Sequence, residues 1–106
     1  MNSQPSFDPF TLEIIASQLR AAAREMFVAL GHASQSPIIY EVLDYACGLT
    51  DSRGQLVAEA EGIPGFIGVL GDAVQAILRK HGSALNPGDI FITNDPYDGG
   101  GSHLSD

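Results

Sequence analysis

The sequence predicts an α+β fold, in which a long N-terminal helix, a β-hairpin, a second helix and a strand follow one another. Three patterns indicate this class. Apolar residues recur every three or four positions over residues 9–31 and again over residues 69–81, which is the period of a helix with one buried face. Two short runs, residues 45–50 and 55–60, flank a four-residue turn that ends in glycine, which is typical of a hairpin.

The first helix is predicted to begin at Asp8, because this aspartate is an N-cap followed by a proline at the first helical position. Residues 1–7 are predicted to be a disordered lead-in. The helical period ends near Gly31, which predicts about 22 residues of helix and a length of ~33 Å. Its apolar face is wide. The helix therefore either packs only on the local sheet or also faces sequence or subunits that are not present here.

The segment between the first helix and the hairpin carries a candidate acidic residue. Pro37 disfavours helical angles at the preceding serine, so residues 36–39 are predicted to extend or turn. Asp44 stands at the entry of the first strand, where a carboxylate must be solvated, paired or coordinated. The ordinary alternative is an exposed residue at the end of a loop. Glu41 is a weaker case of the same kind.

The second helix follows a link rich in glycine and proline, residues 61–66. It is predicted to end at residues 79–82, where basic side chains precede a glycine. His81 at this end, and His32 at the end of the first helix, are interpreted as residues that complement a helix dipole rather than as metal ligands.

The last part of the chain concentrates the chemistry. Residues 86–89 are predicted to turn, and residues 90–93 are predicted to form a buried strand that leads into a glycine-rich loop, residues 94–106. Three glycines in this loop let the backbone pass close to an ion or substrate. His103 and Asp106, three positions apart, could hold a divalent metal through nitrogen and oxygen.

The spacing of His103 and Asp106 also fits a polar surface turn that satisfies its own backbone. Two protein ligands do not complete a catalytic metal site, so further ligands must come from elsewhere. The chain stops directly after these residues and inside its richest motif. We therefore expect it to be the leading piece of a longer protein, with residues 8–106 forming part of a larger mixed domain.

Composition excludes several classes of function. The chain has 106 residues and a formal net charge of −8, so a nucleic-acid partner is not expected, because such sites are basic. No apolar run reaches the ~18 residues of a membrane span, and the first residues lack the pattern of a signal peptide. Cys47 is the one cysteine and is predicted to be a buried, inert thiol, which favours a reduced, cytoplasmic setting.

Taken in order, these landmarks resemble the N-terminal part of the hydantoinase B/oxoprolinase family over nearly the whole chain. The landmarks are Asp8-Pro9 with its long helix, Ser36-Pro37-Ile38-Ile39, Leu43-Asp44-Tyr45, Asp51-Ser52-Arg53-Gly54-Gln55-Leu56-Val57-Ala58, Pro87-Gly88-Asp89, Asn94-Asp95-Pro96-Tyr97 and His103-Leu104-Ser105-Asp106. Each landmark alone is unspecific, whereas their order is specific.

The resemblance implies the metal-binding subunit of an ATP-dependent cyclic amidohydrolase, which opens a hydantoin, 5-oxoproline or lactam ring. ATP would be used through a hydantoinase A type partner, which implies a hetero-oligomer. The expected cofactor is a divalent metal, either zinc, manganese or iron. The resemblance also covers related subunits that carboxylate ketones.

By residue-for-residue matching, the resemblance places His103 and Asp106 on a His-x-x-Asp metal signature. It places Asp44 on an acidic position that reaches the same metal. Asp95 and Asp98 are expected to orient the ligands or act as a base. A further histidine ligand is expected beyond Asp106.

A hypothesis from another class is a non-catalytic interaction module. In that case the acidic glycine loop is a surface turn, and the long apolar helix docks a partner protein.

Overall fold

The computed structural model describes residues 8–62, 69–95 and 97, which fold as a mixed α+β unit. Its elements are helix α1 (Pro9–Ala33), helix α2 (Pro37–Tyr40), strand β1 (Ala46–Thr50), strand β2 (Leu56–Glu61), helix α3 (Val69–His81) and a 3-10 turn (Gly82–Ala84). The predicted class, with its long first helix, hairpin and second helix, is confirmed. The lead-in predicted for residues 1–7 lies outside the described part.

Helix α1 begins as predicted and ends slightly later. The Asp8 side chain accepts a hydrogen bond from the backbone N–H of Phe10 at 3.4 Å, and Pro9 follows it in the first turn. The helix runs for 25 residues and passes Gly31 before it ends. A Cβ on Gly31 would lie 2.5 Å from the Tyr45 hydroxyl oxygen, so this glycine permits a close packing contact and does not end the helix.

The segment predicted to extend or turn at residues 36–39 is instead mostly a single helical turn, α2. Ser36 has φ −94° and ψ 126°, which is the extended conformation that a following proline requires. Pro37 then occupies the first helical position, where its missing N–H costs nothing. The proline therefore restricts the residue before it and starts a helix after it.

The hairpin is confirmed, with β1 and β2 antiparallel and Cys47 opposite Ala60. The Asp51 carboxylate closes the turn by accepting hydrogen bonds from the backbone N–H groups of Arg53 and Gln55, both at 2.9 Å. Gly54 has φ 81°, which suits a glycine far better than other residues. Local chemistry alone thus accounts for the position of this turn.

The core lies between α1 and one face of the hairpin. Its centre is Phe27, whose ring stacks on that of Tyr45 with centroids 4.1 Å apart and an interplanar angle of 8°. Cys47 completes the buried cluster, and Ile39 and Ala60 pack against it. The Tyr45 hydroxyl donates a hydrogen bond of 2.6 Å to the backbone carbonyl of Phe27. This bond satisfies a buried hydroxyl and also ties the hairpin to α1.

We expect Tyr45→Phe to lower the free energy of unfolding by about 1–2 kcal/mol, because it removes this buried hydrogen bond and leaves the Phe27 carbonyl unpaired. Urea unfolding followed by circular dichroism would measure the loss. Tyr40→Phe is the matched control, since Tyr40 is 45% exposed. An unchanged midpoint for Tyr45→Phe would show that the bond adds nothing to stability.

Helix α3 packs on the opposite face of the hairpin. A Cβ on Gly48 would meet Leu70 Cδ1 at 3.0 Å and Leu56 Cδ1 at 2.9 Å, and in a strand this position points away from its neighbour Cys47. The helix ends at His81 with basic residues in its last turn, as predicted. The hairpin therefore forms a middle layer between α1 and α3.

The buried strand predicted for residues 90–93 is wrong for the described chain. Residues 90–93 have no strand structure, and Ile90 and Ile92 are 89% and 95% exposed. A strand needs a neighbouring strand to satisfy its backbone, and within the described residues the sheet consists of β1 and β2 alone. The preceding turn is confirmed by a 3.1 Å hydrogen bond from the Asp89 N–H to the Asn86 carbonyl.

Part of α1 is not covered by the hairpin. Its outward side chains Leu12, Ile15, Met26 and Leu30 are between 41% and 49% exposed, and Phe10 is 79% exposed. The local sheet therefore buries only one side of this helix. Across the described residues, none of the helices combines the length and the hydrophobicity needed to cross a membrane.

Candidate functional site

Asp44 is the predicted site residue that the structure places most clearly. Its backbone N–H donates a 3.1 Å hydrogen bond to the carbonyl of Ile38 in α2. The N–H of Tyr45 donates a 2.9 Å hydrogen bond to the carbonyl of Leu43, which makes Asp44 the centre of a three-residue turn. Tyr45 is itself anchored in the core. Asp44 is therefore held from both sides by ordered backbone.

The Asp44 side chain is available to a ligand. It is half-buried, and its carboxylate accepts no hydrogen bond from any residue that the structure describes. A partly buried carboxylate without a partner has the donor chemistry that a hard or borderline divalent metal takes. The weaker candidate Glu41 is exposed and its backbone N–H caps the end of α2.

Asp95 has a local role in the structure. It is exposed, and its carboxylate accepts a 2.9 Å hydrogen bond from the backbone N–H of Tyr97, which forms a small turn of the kind that aspartates favour. Asp98, His103 and Asp106 lie outside the described residues. Their predicted roles stay predictions.

The described residues do not complete a metal site by themselves. Among residues 8–62, 69–95 and 97, no three His, Cys, Asp or Glu side chains come together in a way that could hold an ion. Asp44 is thus one fitting oxygen ligand, and a full coordination sphere requires others. The two histidines of the described part, His32 and His81, are exposed at the ends of α1 and α3, as predicted.

Two carboxylates that sequence reasoning missed lie on the hairpin. Glu59 and Glu61 are half-buried on β2, and each has a buried Oε2 atom without a hydrogen-bond partner in the described part of the protein. They lie opposite Gly48 and Ala46, whose small size leaves room for them. The alternation of glutamate with alanine at residues 58–61 was the available signal, since alternate residues of a strand share a face.

An open apolar groove of 620 Å³ lies between α3, the hairpin turn and the chain after α3. Its lining includes Val74, Ile77, Leu85 and Phe91 but neither Asp44 nor Asp95. Asp51 is its one acidic residue, and the carboxylate of Asp51 is already used by the turn. The groove therefore lacks a free catalytic group.

Cys47 is buried, and desolvation raises the pKa of its thiol. The folded chain therefore holds less of the reactive thiolate at a given pH than the unfolded chain does. Stability linked to this group is present below the thiol pKa of the unfolded chain, and it is lost as the pH rises through the higher pKa of the folded chain.

We expect iodoacetamide to label Cys47 much more slowly in the folded chain than in urea at about pH 8, because both burial and the raised pKa oppose attack by the thiolate. Mass spectrometry of timed samples would measure both rates. Equal rates would contradict a buried thiol.

Comparison with known proteins agrees with the order of landmarks along the chain. The model of the hydantoinase B/oxoprolinase family matches residues 8–106. The chain belongs to the hydantoinase B/oxoprolinase family. This match confirms the resemblance on which the roles of Asp44, His103 and Asp106 were based, although it does not test those roles.

Named members of the hydantoinase B/oxoprolinase family are similar to the chain over almost all of its length. The 5-oxoprolinase of Saccharomyces cerevisiae is 38% identical over 99 residues, which cover 93% of this chain and 8% of that protein. The 5-oxoprolinase 1 of Arabidopsis thaliana is 37% identical over 99 residues, again 93% of this chain and 8% of the relative.

A bacterial relative within the hydantoinase B/oxoprolinase family is named as a subunit. This putative D-/L-hydantoinase B-type subunit of a Pseudomonas species is 34% identical over 100 residues, which cover 87% of this chain and 16% of the relative. The chain thus spans a small fraction of the length of these relatives. No solved structure gives a significant match.

Proposed function

We propose that the chain is the N-terminal portion of the metal-binding subunit of an ATP-dependent cyclic amidohydrolase. The observation that carries this proposal is the family match over residues 8–106, together with relatives named as 5-oxoprolinases and as a hydantoinase subunit. Its substrate class is a cyclic amide such as 5-oxoproline, a hydantoin or a lactam. It works with a hydantoinase A type subunit or domain that binds ATP.

The chemistry of amides supports this division of labour. An amide carbon is a poor electrophile, and transfer of a phosphoryl group from ATP to the amide oxygen supplies a leaving group. Water then opens the ring, and the products are the ring-opened acid, ADP and phosphate. A bound divalent metal would supply a Lewis acid at this carbon or lower the pKa of an attacking water.

The residues of this chain have distinct proposed roles. Asp44 is the one whose position the structure describes in detail, and its unpaired, half-buried carboxylate supports a role as an oxygen ligand. His103 and Asp106 are proposed to supply the nitrogen and second oxygen ligands. Asp95 and Asp98 are proposed to orient these ligands or to accept a proton.

A direct test is to co-express the complete gene with the hydantoinase A type subunit of the same organism. Purified protein would receive 5-oxoproline or hydantoin, with and without ATP. Mass spectrometry would measure the ring-opened acid, and a coupled assay would measure ADP. The proposal expects product only with ATP and with both subunits present.

Two other outcomes of this test have different meanings. Carboxylation of a ketone in the presence of bicarbonate, without any ring opening, would assign the chain to the related carboxylases. Asp44→Asn protein that retains full ring-opening activity would contradict the role proposed for Asp44.

A second candidate function is a non-catalytic interaction module. The uncovered apolar side of α1 favours it, since the side chains of Leu12, Met26 and Leu30 are at least 41% exposed. This function predicts that the protein neither retains a metal nor opens a ring. The co-expression experiment therefore distinguishes the two functions.

A further inference from the structure

The residue before Asp44 has an unusual backbone conformation. Leu43 has φ 61°, and it is the one non-glycine residue of the described part with a positive φ. A branched or bulky side chain in this left-handed region clashes with its own backbone, at a cost of about 1–3 kcal/mol. Such strain persists only where surrounding contacts hold the residue in place.

Those contacts come from three directions. The N–H of Leu43 donates a 3.1 Å hydrogen bond to the Ile39 carbonyl, and its own carbonyl accepts the hydrogen bond from Tyr45. Gly62, just after β2, covers the third side and donates a 3.3 Å hydrogen bond to the Tyr45 carbonyl. The contacts therefore link α2, the start of the hairpin and its end at Leu43.

Gly62 fits this position because it has no side chain. A Cβ built on it would overlap the carbonyl oxygen, the carbonyl carbon and the Cβ of Leu43. Two of these three atoms belong to the backbone and cannot rotate out of the way. Any larger residue at position 62 must therefore displace the backbone that leads into Asp44.

We propose that Leu43 and Gly62 are positioning residues that aim the Asp44 carboxylate at its ligand. This inference rests on the proposed function, in which Asp44 binds the metal. Packing alone does not require a strained leucine here, since Leu43 is 40% exposed and lies outside the buried core. What the strained turn determines is the direction in which the chain presents the next side chain, which is half-buried and unpaired.

The chain offers matched variants for a test. Gly62→Ala introduces the overlapping Cβ, whereas Gly82→Ala is the control, since a Cβ at Gly82 meets nothing within 4 Å. Leu43→Val places a β-branched residue at the positive φ, whereas Leu43→Gly adopts that φ without strain. Asp44→Asn reports whether the carboxylate itself binds the ion.

Each variant would be made in the polypeptide encoded by the complete gene and titrated with Mn²⁺, with free Mn²⁺ measured by electron paramagnetic resonance. Circular dichroism and thermal unfolding would verify that each protein is folded. We expect Gly62→Ala and Leu43→Val to weaken Mn²⁺ binding by about 10-fold to 100-fold, the usual effect of losing a residue that orients a ligand. Gly82→Ala and Leu43→Gly should bind as the parent does. Retained binding in Leu43→Gly would show that the backbone angle matters, and not the leucine side chain.

The outcomes separate this inference from the proposed function. Parent protein that binds no Mn²⁺, or Asp44→Asn that binds as tightly as the parent, overturns the metal role of Asp44 and the inference with it. Binding that is lost in Asp44→Asn but unchanged in folded Gly62→Ala and Leu43→Val overturns the inference alone. If Gly62→Ala does not fold, the comparison of Leu43→Val with Leu43→Gly decides.

Discussion

Replacement of Phe27 by alanine is expected to lower the free energy of unfolding by about 3–5 kcal/mol, which is typical for deletion of a buried aromatic ring. Phe27 is 8% exposed and stacks on Tyr45, so its loss leaves a cavity at the centre of the contact between α1 and the hairpin. The described core contains six buried apolar residues, and none of its large side chains is fully buried. A core this small has little other apolar burial to offset the cavity.

Urea unfolding of the parent chain and of Phe27→Ala, followed by circular dichroism, would measure this loss. Phe10→Ala is the matched control on the same helix, because Phe10 is 79% exposed and its truncation should change stability by less than ~0.5 kcal/mol. Similar small effects of both variants would mean that α1 does not pack on the hairpin through Phe27.

Loss of the bound metal is the second large effect that we expect. Replacing a direct ligand should lower metal affinity by at least about 100-fold, since even residues that only orient a ligand contribute about 10-fold to 100-fold. Asp44→Ala, His103→Ala and Asp106→Ala are therefore each expected to reduce metal content from near one ion per chain to near zero. Elemental analysis after dialysis would measure it in the polypeptide from the complete gene.

Control variants for the metal experiment carry the same chemistry at other positions. His32→Ala removes an exposed histidine at the end of α1, and Asp72→Asn removes an exposed carboxylate in the first turn of α3. Both should retain the metal content of the parent. Equal metal content in the parent and in all three ligand variants would show that the proposed ligands do not bind it.

Local signals in the sequence were sufficient for most elements. The N-cap at Asp8, the glycine turn closed by Asp51 and the basic end of α3 each act within a few residues of chain, and all three lie where the sequence predicted them. The family could also be inferred from sequence, because the order of landmarks along the chain is a property of the sequence alone.

The predictions that failed depended on distant contacts. The apolar, β-branched residues 90–93 favour a strand locally, but a strand exists only where another strand satisfies its backbone. Gly31 was predicted to end the first helix, whereas its small size serves the approach of the Tyr45 hydroxyl. Neither outcome is encoded within one turn of the residue concerned.

The sequence by itself determined the helices, the hairpin, the family and the identity of Asp44 as a candidate ligand. Only the tertiary structure showed that Asp44 is unpaired, and that Leu43 holds a positive φ against Gly62. The physical reason is that strain in one residue is stabilised by contacts that come from α2 and from the far end of β2. Such contacts are set by packing between segments distant in the chain, and no local propensity of leucine predicts them.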